Sequence, residues 1–128
     1  MAYALTVQCP VLIYLGKKPQ MGFDGWLFGG AAVALCAGCL VPNRWLPPLP
    51  NDKLLHFAGF ALLTLLALRV ADDHMEALLW LLGLAVAGGL IECLQHLLPD
   101  RRFCWRDLLA NVAGIAFVAV PSLMVGVT

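Results

Sequence analysis

Charge is what this chain has least of. Lysine and arginine number 8 and aspartate and glutamate 8, so that 12% of its 128 residues are charged and the formal net charge is zero. An average soluble domain carries about 25% charged residues. A balance this sparse excludes a basic footprint for nucleic acid and an acidic interaction tail, and no nucleic-acid partner is expected. Polar residues are too few for a separate soluble domain. No serine or cysteine stands in a pattern that would activate it as a nucleophile, which weighs against covalent catalysis. An internal repeat and matched pairs of broken helices are also missing, so the usual plan of a secondary transporter is not followed.

What fills the chain instead is apolar: 62% of residues are hydrophobic and the mean hydropathy is +0.86. With about 20 residues needed per crossing, the length accommodates about four spans. The expected fold is therefore all-α: a polytopic membrane protein with four transmembrane helices in one bundle. The spans are placed at about 26–41, 54–70, 76–98 and 107–124, within a membrane domain over 23–128.

Residues 1–22 read as a short interfacial or disordered lead. The apolar stretch from Tyr3 to Leu15 is broken by Cys9-Pro10 and closed by Lys17-Lys18-Pro19. It is short for a crossing, and without a preceding basic residue or a small-x-small cleavage site it does not read as a signal peptide. A start at Met21 would leave the four-span unit intact.

The cysteines, Cys9, Cys36, Cys39, Cys93 and Cys104, are 5 in number, and an odd set partly inside apolar runs does not read as a disulfide framework. Cys36-x-x-Cys39 has the spacing of a redox or zinc pair, but nothing nearby supplies two more ligands. In Ala34-Leu35-Cys36-Ala37-Gly38-Cys39-Leu40 the two thiols read as small hydrophobes. Gly29, Gly30, Ala34 and Gly38 form a small-residue stripe expected to face another helix, and Gly83, Gly88 and Gly89 allow close approach in the third span. Pro42, Pro47, Pro48 and Pro50 make a semi-rigid connection. Asn51 or Asp52 and, later, Asp73 are candidate N-caps, and Pro121 is expected to bend or fray the last turns of the fourth span.

Polar side chains gather around one short loop. Glu92, Gln95 and His96 stand at i, i+3 and i+4 at the end of the third span, Arg101 and Arg102 follow, and Asp107, Asn111 and Gly114 share a face of the fourth. Asp52, Lys53 and His56 stand together at the start of the second. Successive spans alternate direction, so these three span ends lie on one membrane face and their polar residues converge, while the 72–76 turn and the C-terminus make a chemically bland opposite end. A charge at mid-span costs about 2.5 to 3.5 kcal/mol on insertion scales, so Glu92 requires protonation, water or a partner, for which His56, Lys53 and Arg101 are the candidates. The motif face carries Arg44, Lys53, Arg101, Arg102 and Arg106 against Lys17, Lys18 and Arg69 opposite, which leans toward a cytoplasmic motif face.

Asp52-Lys53-x-x-His56-Phe57, Glu92-x-x-Gln95, Pro99-x-Arg101 and Asp107-x-x-x-Asn111-x-x-Gly114 together resemble the signature of VanZ-like membrane proteins, in order and spacing, over about residues 40–118. Asp100 stands where the family commonly has glycine and Cys104 where it often has serine or threonine, which weakens a capping box onto Asp107. The resemblance implies a multi-pass protein of the bacterial inner membrane, associated with glycopeptide resistance and lowered susceptibility to teicoplanin. A glycopeptide or wall-precursor ligand outside the cell requires the reverse of the orientation that the charge count favours.

Three readings of the polar residues follow. In the first, Asp52, Lys53, His56, Glu92, Gln95, Arg101, Asp107 and Asn111 form a binding site for an anionic lipid or a lipid-linked envelope precursor. Two helix N-termini and the guanidinium forks of Arg101 and Arg102 favour phosphate there. In the second, Glu92 or His56 is a general base and Lys53 or Arg101 stabilises an oxyanion or phosphoryl group. In the third, the residues join helices by hydrogen bonds, each worth about 0.6 kcal/mol, and a homo-oligomer is possible. No cofactor and no metal site are expected; His56, Glu92 and His96 are a minor alternative as ligands of a divalent metal.

Overall fold

The computed structural model describes residues 22–45, 51–99 and 101–125. Apart from Gly22, the N-terminal lead lies outside the described residues, as does most of the proline-rich connection. Helix α1 covers Phe23–Leu40, α2 Asp52–Val70, α3 His74–His96 and α4 Trp105–Val125, with a 3-10 turn at Asn43–Trp45. There is no strand among the described residues. Each of the four helices is long and apolar enough to cross a membrane, and at about 1.5 Å per residue each matches a hydrocarbon layer of about 30 Å. The chain is a multi-pass α-helical membrane protein.

Every helix starts two or three residues before its expected apolar boundary. The reason is that capping and first-turn residues are polar, so hydropathy marks the edge of the apolar layer and not the first helical residue. At α3 the cap is explicit. Asp73 accepts the Glu76 amide at 2.7 Å, and Glu76 in turn accepts the Asp72 amide at 2.9 Å. Asn51 precedes α2 without a side-chain capping bond, and Asp52 becomes the first helical residue. Helix α4 continues past Pro121 to Val125. Ser122 donates to the Val118 carbonyl at 2.8 Å, one residue along from the Phe117 carbonyl that Pro121 cannot serve.

Helix α2 lies at the centre and touches the other three, whereas α1 packs on α2 and α3 and does not reach α4. The interior is more polar than the outside. Thr64, Glu92 and Asn111 are as fully enclosed as Phe60, while Trp26, Leu82, Phe117 and Met124 point outward. In a bilayer this arrangement costs little, because lipid tails solvate leucine as well as another helix does. Phe28 on α1 meets Trp80 on α3 edge-on at 4.9 Å, and Phe57 on α2 meets Phe117 on α4 at 5.6 Å.

The small-residue stripe of α1 does not pack as expected. Gly29, Gly30, Ala34 and Gly38 are exposed, and a methyl group at any of the three glycines would touch nothing within 4 Å. Helix α1 packs instead through Phe28, Ala31, Ala32 and Leu35. In α3 only Gly88 is an approach point: a Cβ there would stand 3.2 Å from Phe60 and 3.3 Å from Asn111, whereas Gly83 and Gly89 face open space.

Nor is the end opposite the polar motifs bland. Arg69, in the last turn of α2, bridges both carboxylate oxygens of Asp24 in the first turn of α1, at 3.1 and 3.2 Å. Each charge is also favoured by the dipole of its own helix. Asp24 is the more buried partner, so the two truncations are unequal. Arg69→Ala, which strands a buried carboxylate, is expected to lower stability in detergent by about 1.5 to 3 kcal/mol. Asp24→Ala should cost less. Equal, negligible effects on the melting temperature would show that the bridge contributes nothing.

Candidate functional site

At the motif end, helix periodicity turns one residue from each element toward a common point. Asp52 and His56 are one turn apart on α2, Glu92 and Gln95 share a face of α3, and Asp107 and Asn111 are one turn apart on α4. His56 is the hub. Its Nδ1 is 2.9 Å from Asn111 Oδ1 and 3.7 Å from Glu92 Oε1, and all three side chains are at most 3% exposed. Among the candidate partners of Glu92 it is His56 that pairs with it. Neither Lys53 nor Arg101 forms an ion pair with it among the described residues.

Glu92 is wholly enclosed. Its carboxyl group lies beside the backbone of Cys104, just ahead of α4, yet neither oxygen has a well-formed hydrogen bond. Asp107 Oδ1 and Asn111 Nδ2 are likewise buried without a partner. Buried polar atoms are nearly always paired, and leaving one unmade costs about 1 to 3 kcal/mol. Three such groups on facing helices are an expensive concentration, and they mark a site more readily than a well-satisfied structural network would.

Gln95 and Arg101 have different surroundings. Gln95 Nε2 donates to the Cys39 carbonyl at 2.8 Å, and Arg101 Nη2 to the Val41 carbonyl at 2.9 Å. Both carbonyls belong to the end of α1, where the helix leaves acceptors unused. These two side chains thus close α1 from α3 and from the loop before α4. Arg101 Nε stays buried and unpartnered. Cys36 and Cys39 are free thiols, and Cys39 belongs to the apolar core.

Of the remaining candidates, Lys53, His96 and Arg102 are exposed. His96, the last residue of α3, accepts the Phe103 amide at 3.5 Å, so His56, Glu92 and His96 are not brought together as a ligand set. Among the described residues the group that does converge is Asp52, His56 and Asp107, whose ligand atoms lie within 4.8 Å of one another.

A cleft of about 390 Å³ runs between α1 and α2 to this end. Ala34, Gly38 and Ala58 leave it room, Leu35 and Leu62 line its walls, and Asp52, His56 and Arg101 form its polar part. The exposed stripe of α1 therefore makes a groove where a helix contact was expected. The Asp24–Arg69 bridge and the capping role of Glu76 were not anticipated. The bridge has a sequence signal, because the start of one span and the end of the next must meet on one membrane face.

Comparison with models of known families, with curated proteins and with solved structures finds no match to the chain. The fold and the site define a multi-pass membrane protein, with four candidate spans among the described residues and a buried polar centre at one membrane end.

Proposed function

We propose that this is a VanZ-like protein of the bacterial inner membrane that holds an anionic lipid, or a lipid-linked envelope precursor, with its chain in the α1–α2 groove and its headgroup beside Arg101. The observation that carries the reading is the groove itself: apolar walls lead to the half-buried Arg101 guanidinium, whose Nε–H is unused. Such a guanidinium suits a phosphate oxygen. Lowered susceptibility to teicoplanin would follow if the retained lipid belongs to wall synthesis. The assembly reading draws support from Gln95, Arg101 and the His56–Asn111 bond, all of which join separate parts of the bundle.

Native mass spectrometry of the gently solubilised protein tests the proposal. The wild type should retain an anionic lipid. Arg101→Ala should reduce retention about tenfold or more, the loss expected for one charge-assisted hydrogen bond, and Ala58→Leu, which fills the groove from an exposed position, should reduce it by excluding the acyl chain. Equal lipid retention in all three proteins would contradict the proposal, as would no preferential retention in any.

A further inference from the structure

We propose that Asp52, His56 and Asp107 form a binding site for a divalent cation of the manganese or zinc class, at the end of α2 facing the start of α4. Their ligand atoms already lie within 4.8 Å of one another. Metal bonds of about 2.0 to 2.2 Å would bring any two donors to within about 4 Å. Asp52 is exposed in the first turn of α2, so its side chain is free to rotate toward the two buried donors.

Two further observations point to an ion. Asp107 is 7% exposed, and its Oδ1 is buried with no hydrogen-bond partner. A carboxylate oxygen in that position lacks something to bind. Behind the imidazole, Nδ1 of His56 meets Asn111 Oδ1 at 2.9 Å, with Glu92 Oε1 at 3.7 Å. In the arrangement with Asn111 Oδ1 toward the ring, Nδ1 donates and Nε2 keeps its lone pair. This is how oxygens behind a ligating histidine fix its tautomer and strengthen it as a donor.

The ligand set is held on rigid elements. Asp52 and His56 are one turn apart on α2, Asp107 opens α4, and the two helices meet two turns further along at Gly114. Charge argues the same way. Asp52, Glu92 and Asp107 surround His56, and a dication offsets a concentration of carboxyl groups that Arg101 does not pair with. Oxygen-rich donors with one imidazole suit manganese and zinc better than a soft metal. Asp52 and His56 both line the cleft, which provides access and leaves coordination positions for water or a phosphate oxygen. The inference does not depend on the lipid reading, because the ion can be measured without lipid.

The probe is Mn²⁺ alone, followed by electron paramagnetic resonance on the detergent-solubilised full chain, since free thiols compete weakly for this ion. The wild type is expected to bind one equivalent. Asp52→Asn, at an exposed position, should keep the melting temperature of the metal-free protein while weakening Mn²⁺ binding at least tenfold; Asp107→Asn should do the same or more. Asp73→Asn, at the other membrane end, should bind as the wild type does. Absence of saturable Mn²⁺ binding by a folded wild type would overturn the site, as would binding that survives both Asp52→Asn and Asp107→Asn.

Discussion

Replacing Gly114 by alanine is expected to lower the stability of the bundle by about 3 kcal/mol, the upper part of the range for overpacking a close contact. A Cβ there would collide with the Phe57 carbonyl and press against the Ala61 amide nitrogen. These are backbone atoms of α2, so no side-chain rotation relieves the clash. The helices must separate, and with them Asp107 and Asn111 would withdraw from His56. Thermal unfolding in detergent should show a clear drop for Gly114→Ala and little change for Gly89→Ala, whose added methyl group meets nothing within 4 Å. Equal melting temperatures for the two variants would show that α2 and α4 do not pack closely at this residue.

The second large effect has the opposite sign. Glu92→Leu should leave the protein as stable as the wild type or raise its stability, by up to about 3 kcal/mol, the penalty released when a buried carboxyl without a well-formed hydrogen bond is removed. The carboxyl is wholly enclosed and has no well-formed hydrogen bond, while His56 keeps its bond to Asn111. An assembly device predicts the reverse, with Glu92→Leu melting lower because a link between α2 and α3 has gone. Chemical or thermal unfolding of the two proteins, read by circular dichroism, distinguishes these outcomes. A fold that tolerates the change together with weaker Mn²⁺ or lipid binding would place Glu92 behind the site and outside the scaffold.

Much of the architecture was legible because topology and helix periodicity are readable without coordinates. Four apolar runs give four spans, alternation puts Asp52, Glu92 and Asp107 on one membrane face, and i, i+4 spacing orients Asp52 with His56 and Asp107 with Asn111. Proximity in sequence was a poorer guide. Lys53 follows Asp52, but it is about 100° around the helix and exposed. His96 shares a face with Glu92, yet as the last residue of α3 it meets the Phe103 amide outside the buried centre. Gln95 looks like a ligand group until its reach to the end of α1 is known, and Arg101 spends one N–H on that same helix end while Nε stays unused; both reaches depend on how α1 leans on its neighbours. Side-chain size also decided the fate of the α1 stripe: Leu35 seats against Gly59, while Ala34 and Gly38 face the equally small Ala58 across a groove.

The groove is the feature on which the functional reading turns, and the direct measurement is photo-crosslinking with an anionic phospholipid that carries a diazirine on its acyl chain. In bilayers containing the full chain, peptide mapping should find labelling concentrated on Leu35, Gly38 and Leu62, with Leu82 and Phe117 on the outer faces labelled far less. Unlabelled anionic lipid should compete this signal away more effectively than a zwitterionic one. Labelling spread evenly over the outward-facing residues of all four helices would contradict the reading and reduce the groove to ordinary lipid-facing surface.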